Sequence, residues 1–246
     1  VVLLFSVFMD DFNLQERMIP VGERCKTAMI SLKNAVTSQF SEETPVITKR
    51  QYFYDLFHPS NDGHRIMADC IDYLWEQAAN APKETEEAVI DAPPAIGEKY
   101  RSLLAFDRSN YAKHEAVRRL EEGVFAEKDV VLQYVEKEDN PQATAEFPDT
   151  WMKMPESEGP AFRMRILCKD LLLVYKDTDS PMFGKAEVRV DGAVTRVIDP
   201  REVGWNHCTA YVVYESDAAA EHEVEISMKA EDTAKGFTIL GFGYTL

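Results

Sequence analysis

The sequence predicts a chain of two parts: an α/β segment with a parallel sheet, then an all-β antiparallel sandwich of jelly-roll type. Three observations carry this. The chain opens on Val1-Val2-Leu3-Leu4-Phe5-Ser6-Val7-Phe8, a continuous apolar run that reads as a strand buried on both faces, the pattern of a parallel sheet. Further on, Ile66, Ala68, Cys70, Ile71, Leu74, Trp75 and Ala78 are apolar at helical spacing behind the capping residues Ser60, Asn61 and Asp62. In the second half, short β-type runs recur with turn signals about every ten residues.

Taken in order, the elements divide the chain into an α/β part over residues 1–79, a linker over 80–97 and a β-sandwich over 98–246. After the first strand, Met9-Asp10-Asp11-Phe12-Asn13 reads as a loop at the strand's C-terminal end, the edge where open α/β sheets bind ligands. Residues 14–25 are helical, with Pro20 and Gly22 expected to break them into two short pieces. Residues 28–32 form a strand, and Ser31 caps a helix to about Phe40. Residues 41–54 have no period and read as a loop, followed by the capped helix to about Ala79. The Pro, Ala and acidic composition of 80–97, with Pro93-Pro94, is that of an extended linker. Residues 110–122 read as one helix. Strand signals then follow at 130–135, 162–168, 171–175, 186–190, 194–198, 211–214, 224–228 and 237–244. Asp191-Gly192 between two of these runs is a hairpin signal, because both residues tolerate positive φ.

With 246 residues, 45% apolar and 11% aromatic, the composition is that of a globular protein with room for two domains. No run reaches the roughly 18–20 apolar residues of a membrane-spanning helix. The net charge of −16, from 43 acidic and 27 basic residues, opposes nucleic acid and anionic membranes as partners; it reads first as a well-solvated acidic surface and is compatible with a neutral substrate. Cys25, Cys70, Cys168 and Cys208 lack metal-ligand spacing and read as buried free thiols, which leans toward a reducing compartment.

The chemistry concentrates in Asp55-Leu56-Phe57-His58-Pro59-Ser60-Asn61-Asp62-Gly63-His64. Pro59 cannot sit inside a helix, so His58 lies on the loop before it with Asp55 three residues away. A carboxylate held against an imidazole fixes its tautomer and stabilises the imidazolium, which is what a general base requires. By spacing alone the pair reads first as a loop His and a capping Asp with structural duties, because D-x-x-H is a common spacing. The longer string Asp55-x-x-His58-Pro59-x-x-x-Gly63-His64-x-x-Met67-Ala68 resembles the last conserved block of SGNH (GDSL-type) hydrolases. That resemblance implies a three-layer α/β sandwich, His58 as the base of a Ser-His-Asp triad and Asp55 as its orienting partner. His64 matches the position after the helix glycine, a packing and capping feature. The family's G-D-S nucleophile block and its Gly and G-x-N-D oxyanion blocks have no counterpart here, and Ser6 lies mid-strand without a glycine-rich elbow. The chain is therefore expected to be the back part of a longer hydrolase, inactive by itself.

Two further groups of residues are candidates for binding. Asn13 and Asp11 are placed to line a cleft, or else to serve as loop and cap residues. Trp151, Trp205, His207 and Tyr211 can stack on a sugar, with Trp205 favoured because Gly204 and Asn206 put it in a loop. The alternative for each Trp is to fill the sandwich core. The strings Gly184-Lys185-Ala186-Glu187-Val188-x-Val190-Asp191-Gly192, His222-x-Val224-x-Ile226 and the closing Phe237–Tyr244 run resemble the β-sandwich accessory modules found beside carbohydrate-active SGNH esterases. Together the resemblances imply a carbohydrate O-acetyl esterase with catalytic Asp55 and His58, substrate-binding Asn13 and Trp205, a carbohydrate or small-molecule ester substrate, and no metal or organic cofactor. The rival reading is a non-catalytic glycan- or protein-binding β-sandwich beside a structural α/β remnant.

Overall fold

Apolar β-branched and aliphatic side chains put Val2–Phe5 (β1) in a strand, and it pairs in parallel with Ala28–Ser31 (β2), Val2 opposite Ala28 and Phe5 opposite Ser31. The structure is a computed structural model that describes residues 1–82, 93–129 and 147–246. The expected strand at 130–135 and most of the expected linker lie outside the described residues. Two units divide the chain, Val1–Lys99 and Tyr100–Leu246.

In the first unit, one unbroken helix, Gln15–Arg24 (α1), replaces the two pieces expected around Pro20 and Gly22. A single missing N–H removes one helical hydrogen bond. Gly22 is there for close packing: a Cβ on it would lie 2.3 Å from Met29 Sδ and 3.2 Å from Leu3 Cδ1. Ser31 caps a helix as expected, its hydroxyl accepting from Asn34 N at 2.9 Å, but that helix, Leu32–Val36 (α2), is only five residues long. A 3-10 turn at Gln39–Ser41 stands where the helix was expected to end, and a short helix, Lys49–Tyr52 (α3), falls in the stretch expected to be a loop. A capping box formed by Thr48 and Gln51 starts α3, a local signal too short to show as a period. Asn61–Asn80 (α4) follows, capped by Ser60. Its apolar face is less buried than the pattern predicts. Ile66 packs against the small core of Val7, Val36, Ile47, Tyr52 and Phe53, whereas Tyr73 and Trp75 are exposed.

In the second unit, the described strands form one antiparallel sheet: Leu104–Phe106 (β3), Val117–Glu121 (β4), Trp151–Lys153 (β5), Phe162–Asp177 (β6), Ala186–Val190 (β7), Ala193–Ile198 (β8), His207–Met228 (β9) and Phe237–Thr245 (β10). Strand order is β3-β10-β6-β9-β7-β8, with β4 on β6 and β5 on β10. The helix expected over 110–122 is instead a 3-10 turn at Tyr111–Lys113 and strand β4, because pairing of Val117–Glu121 along β6 overrides local propensity. Runs expected as separate strands merge. Burial along β6 alternates on even residues from Phe162 to Cys168 and on odd ones from Leu171 to Tyr175, and a register shift between Cys168 and Asp170 accounts for the phase change. The expected hairpin is present: Asp191 at φ 50° and Gly192 at φ 81° turn β7 into β8.

The core of this unit is aromatic. Phe242 stacks on Phe106 and Phe162 at 5.3 and 5.7 Å, and Trp151 meets Phe162 edge-on at 5.5 Å. Beside it Lys176 Nζ is 2.7 Å from Asp129 Oδ2, which also accepts from Thr238 Oγ1 at 2.8 Å, all three residues being buried. Asp129→Ala should strand the Lys176 ammonium in the interior and cost about 3–5 kcal/mol. Urea unfolding checks this, and a midpoint unchanged from the native protein contradicts it.

Candidate active site

The loop between α3 and α4 is built from its backbone outward. Tyr54 N donates to His58 O at 2.8 Å and Phe53 bridges Pro59, which closes a tight turn over residues 54–58. Inside the turn Asp55 Oδ1 accepts from Phe57 N and from His58 N, both at 2.8 Å. The same carboxylate meets His58 Nδ1 at 3.0 and 2.9 Å through its two oxygens. Ser60 N then donates to Tyr52 O at 2.8 Å, and the Ser60 hydroxyl donates to Gln51 O while accepting from Gly63 N. These bonds lock the start of α4 to the end of α3. Gly63 is required by that contact, since a Cβ there would sit 2.3 Å from Tyr52 O and 2.9 Å from Pro59 Cβ.

The electrostatics follow from the hydrogen bonds. The backbone N–H of Phe57, then the His58 ring and the His58 backbone N–H, hold the Asp55 carboxyl at about 2, below its ordinary 3.8. Asp55 is therefore an anion across the neutral and mildly acidic range, and its partner Nδ1 carries the proton. This leaves Nε2 of His58 as the basic nitrogen. The imidazole is 72% exposed, so Nε2 is open to an incoming group. Among the described residues no serine, threonine or cysteine side chain hydrogen-bonds to it, and Ser6 is exposed just past β1.

The structure thus brings Asp55 and His58 together. Asn13 is engaged locally: its Oδ1 accepts from Gln15 N at 3.1 Å and its Nδ2 donates to Asp11 O at 2.9 Å, which braces the turn before α1. His64 is exposed in the first turn of α4 and lines a hollow of about 530 Å³ with Gln51, Tyr54, Pro59, Ser60, Asn61 and Asp62. In the second unit Trp205 is 55% exposed, with its ring 4.6 Å from that of His207. Tyr211 is half-buried under Arg196 and donates to Glu202. Trp151 takes the core alternative, fully buried with Nε1 donating to Glu122. Of the four free thiols only Cys168 is buried, and burial pushes it up to about 12. Cys25 is exposed, so the expectation of uniformly buried thiols is corrected.

A second carboxylate–imidazole pair escaped the sequence reading. His222 Nδ1 lies 2.7 Å from Asp191 Oδ2 across the β7–β8 turn, and the two residues are 31 positions apart, too far for a spacing signal. There the imidazole is only 7% exposed and packs 4.1 Å from the Tyr214 ring. Its Nε2 is buried without a hydrogen-bond partner among the described residues, so the imidazole is closed to an incoming group.

Comparison with family models finds no match, and neither does comparison with curated protein sequences. Solved structures do match. One is a crystal structure of a two-domain esterase active on acetylated mannans, at 17% identity and TM-score 0.69, covering 100% of this chain and 64% of that one. The same kind of esterase co-crystallised with mannopentaose matches at 16% identity and TM-score 0.66, covering 100% and 63%. The chain shares their fold and spans less than two thirds of their length.

Two measurements test the site. The Asp55 carboxyl carbon followed by NMR should titrate near 2. Since its folded value is depressed, its stabilising contribution is present above the ordinary 3.8 and is lost as pH falls through about 2. A midpoint near 3.8 would mean that the three hydrogen bonds do not persist in solution. Gly63→Ala should force α4 away from Tyr52 and destabilise the first unit by about 1–3 kcal/mol, read as a lower Tm by circular dichroism.

Proposed function

We propose that this chain carries the base and its orienting acid of an SGNH-type ester hydrolase acting on acetylated carbohydrate. The carrying observation is the Asp55–His58 pair: an ionised carboxylate on Nδ1, held by three hydrogen bonds, with an exposed Nε2. A serine hydroxyl from residues outside this sequence would give its proton to Nε2 as it attacks the acyl carbon. His58 then returns that proton to the departing sugar oxygen, and water repeats the cycle on the acyl-enzyme. Asp55 stabilises the imidazolium during both transfers. Residues 1–79 belong in this reading to the back of a three-layer α/β hydrolase domain, where the apolar side of α4 would be covered. The fold shared with esterases active on acetylated mannans supports an acetylated mannan or a related glycan as substrate.

The second unit would be a jelly-roll-like accessory module. The exposed ring of Trp205 favours glycan stacking there, and a binding protein without catalysis is the second reading. Kinetics on protein carrying its serine block separates the two. His58→Ala should lower kcat about 10²–10⁴-fold, and Asp55→Asn should be comparably severe because the amide allows the wrong tautomer. His64→Ala should retain kcat and cost only about 1 kcal/mol of stability. Loss of turnover in His64→Ala with His58→Ala unaffected would sink the assignment.

A further inference from the structure

We propose that Phe8, Phe12 and Phe57 form a stacking platform for a neutral pyranose ring, the alcohol half of the ester. This rests on the role given above to His58. The rings are continuous: Phe12 stacks on Phe8 at 5.7 Å and 21°, Phe57 meets Phe8 edge-on at 5.4 Å, and the Phe57 ring is 6.5 Å from the His58 imidazole. Phe12 and Phe57 are each more than half exposed, and so is Leu56 between Asp55 and Phe57. Exposed apolar side chains grouped this way mark a surface that meets something.

The loop is fixed by its own hydrogen bonds. Phe8 N donates to Phe12 O at 3.0 Å, Asp11 N to Phe8 O at 2.9 Å, and Phe12 N to Asp10 Oδ1 at 3.1 Å. Asp11 takes φ 70°, and Asn13 ties back to its carbonyl. Met9 N donates to Leu56 O at 3.0 Å, which joins this loop to the one that bears Asp55 and His58. Rigid aromatic rings held on a braced loop lose little freedom on binding.

Mechanism decides which half of the ester lies here. The base hands its proton to the leaving oxygen, so groups beside the imidazole flank the alcohol, while the acyl group sits at the nucleophile and oxyanion donors. The Asp10 and Asp55 carboxylates beside the rings disfavour an anionic alcohol. A neutral pyranose presents a flat C–H face of the size of one ring, which suits stacking on Phe12.

The test is calorimetric titration of the protein with mannopentaose. Phe12→Ala should weaken binding about fivefold to tenfold, Phe12→Leu should do the same by keeping bulk without a flat face, and Phe12→Trp should restore it. Tyr73→Ala, exposed on α4 and in none of these ring contacts, should bind as the native protein does. Native affinity in both Phe12→Ala and Phe12→Leu, equal loss in Tyr73→Ala, or no binding by the native protein overturns the platform. Hydrolysis of acetylated mannan is read separately. Turnover that survives His58→Ala removes the esterase reading, while the ring-dependent binding still stands or falls on the titration.

Discussion

The first unit depends on one carboxylate accepting three N–H groups. The bonds from Phe57 N and His58 N fill the turn that Tyr54 N and His58 O close, and the contact with Nδ1 aims the imidazole. Charge-assisted bonds of this kind are stronger than neutral ones, and three on one carboxylate define a position as well as a charge. The turn delivers Pro59 and Ser60 to the end of α3, where the Ser60 hydroxyl and Gly63 fix the start of α4. The same interaction thus sets the tautomer of His58 and the direction of the helix behind it.

Carboxylate and imidazole in contact do not by themselves make a site. Asp191 and His222 are as close as Asp55 and His58, and the carboxyl of Asp191 is likewise held low, by the His222 ring above all. Burial separates the two pairs. His222 is walled in by Tyr214 and neighbouring strands, and its Nε2 faces no partner, while His58 stands open at a loop. Proton transfer to a substrate requires access, and of these two imidazoles only His58 has it.

The two units also differ in how they use apolar surface. The second packs fully buried aromatic rings against one another and can carry the Lys176–Asp129 pair inside, with Thr238 satisfying the same carboxylate oxygen. The first has a small core and leaves Phe12, Phe57, Tyr73 and Trp75 exposed. The braced rings near His58 suit ligand contact. On α4, Tyr73 and Trp75 stay exposed, so the helix buries only part of its apolar stripe against that core.

Local chemistry was legible in the sequence. Asp191-Gly192 specified its hairpin, Ser31 and Ser60 specified their caps, and the spacing of Asp55, His58 and Pro59 specified an acid and an imidazole on one loop before a helix. Each depends on contacts within a few residues, so each is encoded in a short string. Pairing partners were not legible. Residues 117–121 became a strand because β6 was there to receive them, and the runs around Cys168 and Asp170 joined into one strand because β9 continues past the bulge. The Trp151–Glu122 bond, the Asp191–His222 pair and the Phe8–Phe57 contact join residues tens of positions apart. Such distances carry no local signal, and only the tertiary fold, by bringing those side chains within reach, decided what they do.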